Sequence, residues 1–170
     1  FPATIKDVDG TPGIFFENKS LVQFLKDWQA MKELLQSGSQ TLDNYEIWKT
    51  TRNLAMLDIL ISTGIRIAEL SNISINDIIS AERIILIHGK GRKQRLIYNS
   101  CPQTWCNLTQ WLRIRKTRPT NTDKVFVNRY GEQISIHGIE YIYNTVKKNA
   151  NINSHSTPHY LRHTFATNLL

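Results

Sequence analysis

Apolar residues recur at helical spacing through most of this chain, broken once by two short runs that alternate or cluster like strands. Leu21, Phe24, Leu25, Trp28, Met31, Leu34 and Leu35 fall on one stripe and predict a helix over 21–35, ended by Ser37-Gly38-Ser39. A second helix is expected over 47–62, with Ile47, Leu54, Leu57 and Ile61 on a wide apolar face, and Gly64 stops it. A short helix follows over 67–72. The β-rich runs 84–87 and 94–98 are joined by Gly-Lys-Gly-Arg-Lys, which reads as a hairpin with a basic tip. Trp105, Leu108, Trp111 and Leu112 mark a helix over 103–117, with Pro119 enforcing the stop. Residues 125–127 form a short apolar run read as a strand, and 128–131 a turn. Ser135 caps a helix bearing Ile139, Ile142, Tyr143 and Val146. The expectation is an α+β fold, mainly α-helical, with a small antiparallel sheet of three strands near 84–88, 94–98 and 125–127.

A last helix opens with Thr157 as N-cap and Pro158 at its first position. Its period puts His159, Arg162 and His163 on one face and Leu161, Phe165 and Leu169 on the opposite one. Such a helix anchors by its apolar side and offers imidazole and guanidinium from the other. That pair suits a phosphate, because arginine grips two oxygens in a planar fork and histidine can donate a proton near neutral pH.

Composition narrows the class. The chain has 170 residues, 41% of them hydrophobic and 21% charged, values of a water-soluble domain with room for a real core. Apolar runs stay well short of the roughly 20 residues that span a bilayer, and no signal peptide opens the chain. Cys101 and Cys106 suggest neither a disulfide framework nor a metal site, so reduced thiols in the cytosol are expected. The net charge of +7 is unevenly placed: residues 83–118 hold nine Lys and Arg and no Asp or Glu, which leaves −2 for the rest. A one-sign block of that length reads as a footprint for a polyanion.

Three segments combine in one order: Thr63-Gly64-Ile65-Arg66-Ile67-Ala68-Glu69-Leu70, then Gly89-Lys90-Gly91-Arg92-Lys93-Gln94-Arg95, then His159-Tyr160-Leu161-Arg162-His163-Thr164-Phe165-Ala166-Thr167. Together they resemble the catalytic domain of the tyrosine recombinases, the phage-integrase family of site-specific DNA recombinases, from about Ile47 to Leu170. The resemblance implies DNA breakage and rejoining through a 3′-phosphotyrosine, with no metal or other cofactor, because the covalent link conserves the energy of the broken bond. It implies catalytic roles for Arg66 and Arg162 as a clamp on the scissile phosphate, His159 as its hydrogen-bonding partner, and Lys90 as proton donor to the departing 5′ oxygen. Arg92, Lys93 and Arg95 are expected to contact the DNA backbone, and Glu69 and His163 to support the site. Alternatives stand beside these: Arg66 lies three residues from Glu69, the spacing of an ordinary helical ion pair, and Lys93 shares the tip with Lys90.

Residues 1–45 read as a lead-in segment and helix, a remnant of or linker from a preceding DNA-gripping domain, and 46–170 as the catalytic domain without its C-terminal end. Double-stranded DNA is the expected partner, with a homo-tetramer on DNA for the full-length protein, a monomer for the fragment, and no membrane. The location expected is the cytoplasm of a bacterium, with the gene carried by the cell or a phage. A non-catalytic DNA-binding relic of the same family is the competing function, and a topoisomerase fits the motifs less closely. No tyrosine among residues 1–170 matches the family's nucleophile. This segment alone is therefore expected to form no covalent adduct on a suicide DNA substrate, read by denaturing electrophoresis.

Overall fold

α1 (Asn44–Thr63) is the axis of the fold. The structure, a computed structural model, describes residues 26, 29–34, 36, 43–99 and 101–152. The Asp43 carboxylate accepts the Glu46 N–H at 2.8 Å and starts α1, and Gly64, at φ 64°, ends it. Buried positions run from Trp48 through Arg52 and Asn53 to an unbroken stretch Ala55–Ile61, which covers the whole circumference. A helix buried all round is one surrounded by other elements.

α2 (Ile67–Ser71) follows directly, and after the sheet come α3 (Pro102–Arg115) and α4 (Ile136–Asn149). α3 lies along α1 through aromatic contacts: Trp48 meets Trp111 edge-on at 5.2 Å, and Trp111 stacks on Phe126 at 6.4 Å. Both buried indole groups of α3 find carbonyls, Trp105 on Asn99 at 2.6 Å and Trp111 on Val125 at 2.9 Å. Ser135 caps α4 by accepting the Gly138 N–H at 2.9 Å, and Ile139, Tyr143 and Val146 face inward. Residues 29–34 are helical, within the helix expected over 21–35, and Met31 is buried there. The lead-in over 1–20 and the helix carrying His159, Arg162 and His163 lie outside the described residues.

The sheet is antiparallel with order β1-β2-β3, where β1 is Ile78–Ile79, β2 is Ile84–His88 and β3 is Gln94–Tyr98. Ile85 and Ile87 point into the core, while Leu96 and Tyr98 on the opposite face are exposed. The third strand is thus β1, and the strand expected at 125–127 is corrected. Val125, Phe126 and Val127 are fully buried but satisfy their backbone one partner at a time. Val125 N–H binds the Ile73 carbonyl, Trp111, Ile134 and Arg52 take the carbonyls of Val125, Phe126 and Val127, and the run has only isolated bridges, at Lys124 and Val127. An apolar triplet needs a continuous neighbouring strand to make a ladder, and here it crosses between helices instead. Among the described residues no helix is long and apolar enough to cross a membrane.

The turn after residue 127 is closed by Gly131, at φ 80°, where a Cβ would lie 2.5 Å from the Pro119 carbonyl oxygen. Gly131→Ala is expected to destabilise the protein by about 2–4 kcal/mol, through backbone strain and a clash that cannot relax. Gly91→Ala, at φ 69° with nothing within 4 Å, should cost only about 1 kcal/mol. Urea unfolding of both variants checks the order.

Candidate active site

Gly64 decides where the site begins. Its left-handed turn reverses the chain after α1, buries Ile65 and brings Arg66 out in extended conformation (φ −69°, ψ 145°) as the N-cap of α2. The Arg66 side chain is 58% exposed. Glu69, one turn later, folds back so that Oε1 accepts the Arg66 N–H at 3.4 Å and faces its Nη1 at 3.5 Å. That half of a capping box stabilises a helix of five residues.

Glu69 is only 7% exposed, and its main partner comes from across the fold. The Arg95 fork on β3 takes both carboxylate oxygens, Nη1 on Oε2 and Nη2 on Oε1 at 3.1 Å. Burial alone would push the Glu69 carboxyl up. The hydrogen bond and charge of Arg95, with the N–H and charge of Arg66, outweigh it and hold the carboxyl below the usual range. Arg95, expected among the contacts to the DNA backbone, has its fork on Glu69 and stays 41% exposed.

The hairpin tip leans on the same carboxylate. A Cβ on Gly89 would stand 4.0 Å from Glu69 Oε2 and 3.4 Å from the Lys93 carbonyl oxygen. Gly89 N–H donates to that carbonyl at 2.7 Å, and Lys90–Arg92 form a single 3-10 turn. Lys90, Arg92 and Lys93 are exposed, and none has an ion-pair partner among the described residues. Arg92 joins Gly91 in the left-handed region, at φ 59°. For a non-glycine residue that conformation costs roughly 1 kcal/mol. The arrangement sets one buried anion beneath Arg66, Arg95 and the tip, with exposed cations around it. Arg162, His159 and His163 are outside the described residues, so their distances to Arg66 are not part of this geometry.

The block of nine cations does not form one face. Arg115 is buried and donates to the carbonyls of Thr122 at 2.8 Å and Lys124 at 2.7 Å. Burial lowers its pKa, with Asp123 pulling the other way. Arg118 lies over the rings of Tyr45 and Trp48, at 5.0 and 5.5 Å. Both arginines are engaged by groups of the fold itself.

Two polar features carry no sequence signal. Asp77 and His88, eleven residues apart, are joined by a 2.9 Å contact that depends on the sheet register. Arg52 is buried with no carboxylate beside it among the described residues; it donates to Asn53 Oδ1 and the Val127 carbonyl. Burial brings its pKa down to about 10, with Tyr45 acting in the opposite sense. Arg52 lines a cavity of about 1160 Å³ between α1 and α4, which Arg66, Glu69, Lys90 and Arg95 do not reach. No group of three or more His, Cys, Asp or Glu among the described residues is placed to hold a metal ion.

Known proteins share this arrangement of elements. The family model described as the phage integrase family matches residues 30–170. A tyrosine recombinase XerC of Pediococcus pentosaceus is 32% identical over 169 residues, which cover 97% of this chain and 51% of that protein. The crystal structure of XerA recombinase is 30% identical with a TM-score of 0.66, covering 83% of this chain and 48% of that one. A structure of XerH recombinase bound to its difH substrate, 24% identical with a TM-score of 0.69, covers 85% of this chain and 40% of that one and shows the same fold. The chain spans about two fifths to one half of the length of the curated relatives it matches.

Glu69→Gln is expected to lower stability by about 1–3 kcal/mol at neutral pH, because the Arg95 fork loses its charged partner. The folded pKa of Glu69 lies below the unfolded value of about 4.3, so its contribution is present above that value and disappears as pH falls through the folded pKa. The stability gap between wild type and variant should hold from about pH 7 to pH 5 and narrow as pH falls further. Urea unfolding at a series of pH values reads it, and a gap that does not narrow in acid contradicts the assignment.

Proposed function

Because the chain belongs to the phage integrase family, the tyrosine recombinases, we propose that it forms most of a catalytic domain that breaks and rejoins double-stranded DNA at specific sites. The observation that carries this reading is the shared carboxylate of Glu69. It ties the start of α2, where Arg66 emerges, to the hairpin that bears Lys90. Two segments far apart in sequence, one bearing Arg66 and the other Lys90, thereby share one anion.

In the proposed reaction a tyrosine hydroxyl attacks the scissile phosphorus, the 3′ phosphate becomes linked to tyrosine, and the 5′ oxygen leaves as a hydroxyl. Charge builds on the non-bridging oxygens as phosphorus becomes five-coordinate, and fixed cations stabilise that state more than the ground state. Arg66 and Arg162 are assigned to those oxygens and His159 to a hydrogen bond with them. Lys90 supplies the proton to the 5′ oxygen, with Lys93 sharing its turn. Arg92 and Lys93 contact the DNA backbone. The strained backbone of Arg92 supports its role, since a residue keeps such a conformation where its side chain is used. Arg95 and Glu69 support the site from beneath, as does His163. The reverse attack by a 5′ hydroxyl on the phosphotyrosine rejoins the strands without a nucleotide or a metal. Assembly as a homo-tetramer on DNA accompanies this reading.

Arg66→Ala in a full-length protein containing this segment is expected to slow covalent adduct formation on a suicide duplex by about 10²–10³-fold, with duplex affinity changed only a few-fold. Unchanged cleavage overturns the assignment. For the segment itself, replacing Lys90, Arg92 and Lys93 together by Ala should reduce the slope of log K against log salt by roughly 2–3. An unaltered slope removes the tip from the DNA interface.

A further inference from the structure

The hairpin that carries Lys90 is held at its root from both faces of the sheet. Side chains of cross-strand pairs share a face, and successive pairs alternate. The pair Ile87↔Arg95 faces the core, where Ile87 is buried and Arg95 meets Glu69. The next pair, His88↔Gln94, is the last of the ladder and faces the other way.

On that second face His88 Nε2 lies 2.9 Å from Asp77 Oδ1, and Gln94 Nε2 lies 3.3 Å from His88 Nδ1. With the amide donating to Nδ1, the ring proton sits on Nε2 and is donated to Asp77. Asp77 is itself fixed. It is 8% exposed, ends the 3-10 turn Ile75–Asp77, and accepts the Ser74 N–H on its other oxygen at 2.9 Å. The next residue, Ile78, pairs with Ile85 of β2. A hydrogen-bonded line thus runs from the body of the domain through Asp77 and His88 to Gln94 on the far strand.

Beyond that pair the tip has little else among the described residues: Gly89 N–H to the Lys93 carbonyl at 2.7 Å and Lys93 N–H to the Lys90 carbonyl at 3.4 Å. Two of its residues, Gly91 and Arg92, sit in the left-handed region. A strained five-residue loop keeps one shape only when its root is over-determined. The Glu69–Arg95 fork restrains one face of the root, and Asp77–His88–Gln94 the other.

We propose that His88 is a positioning residue: through Asp77 and Gln94 it fixes the root of the hairpin and so the point from which Lys90 presents its ammonium to DNA. The inference rests on the assignment of Lys90 as proton donor. Affinity for a duplex depends on summed long-range charge, whereas proton transfer depends on placement to within about an ångström. Loss of His88 should therefore appear in the cleavage rate and not in binding.

The test uses full-length protein with His88→Ala, His88→Gln and Lys90→Ala. His88→Ala should lower single-turnover cleavage by about 10–100-fold while the duplex Kd changes by less than about twofold. His88→Gln, whose amide N–H₂ reaches the place of Nε2, should recover most of the rate. A duplex with sulfur in place of the 5′ bridging oxygen at the scissile linkage expels a thiolate, which needs no proton. On it His88→Ala should cleave within about threefold of wild type, because the lost function is proton delivery. Amide hydrogen exchange at residues 89–93 should quicken in His88→Ala, with the melting temperature showing that the fold is kept. Wild-type cleavage of ordinary DNA by His88→Ala, an equal defect on both substrates, or unchanged exchange at the tip each overturns the proposal. Lys90→Ala separates the two ideas. If sulfur fails to rescue it, the assignment of Lys90 falls, while the exchange data still judge the His88 restraint on their own.

Discussion

A carboxylate removed from water has to keep cations within reach, and Glu69 meets that demand in the way the rest of the site depends on. It is nearly buried, and its two oxygens hold the fork of Arg95 and face Arg66. Without an anion between them, the part-exposed guanidinium groups of Arg66 and Arg95 would repel at short range. Glu69 therefore lets a positively charged cluster exist before any ligand arrives. In the proposed reaction a DNA phosphate joins a site already assembled, so little reorganisation is needed when charge builds on its oxygens. α2 is too short to persist alone, so the anion's position is set by packing: Leu70 is fully buried and Ser71 Oγ donates to the Ile134 carbonyl at 2.5 Å.

What is rigid and what is strained are divided accordingly. α1 and α3 form an aromatic-packed base around Trp48, Trp111 and Phe126. The functional groups leave that base at two backbone singularities, the left-handed Gly64 before Arg66 and the left-handed Gly91–Arg92 step after Lys90. The first needs glycine for the turn and is capped by an ordinary hydrogen bond to Leu60 at 3.2 Å. The second includes an arginine, and it persists because the strands below it are fastened on both faces. Strain at the tip and restraint at the root belong to one device.

Elements whose determinants are local were legible in the sequence. α1 ends where Gly64 says it must, α4 starts at the Ser135 cap, and the hairpin strands fall at 84–88 and 94–98. Elements whose determinants are distant were not. β1 has two residues, too few for any period, and exists because β2 offers it an edge. Residues 125–127 carry a strand-like apolar pattern, yet their hydrogen bonds go to Ile73, Trp111, Arg52 and Ile134, none of which a pattern can show. In the site, the motif letters of Arg66, Glu69 and Lys90 were plain. The partner of Arg95 and the tie between Asp77 and His88 required the register.

The same distinction changes what the basic block means. Nine cations without an acid suggest one continuous footprint, but charge along a chain is not a field on a surface. Arg115 neutralises carbonyl dipoles in the interior, Arg118 covers two rings, and Arg95 is matched by Glu69. Of the rest, Lys90, Arg92 and Lys93 cluster at one end of β2. Arg83 stands at the other end, with Arg113 in the same groove beside Ser80 and Gln110. The five residues of β2 span roughly 17 Å, so the two groups are too far apart to act on one phosphate. The block is therefore one buried cation, two engaged by side chains of the fold, and exposed cations that stand apart, and the set at the tip is the one that shares its support with Arg66.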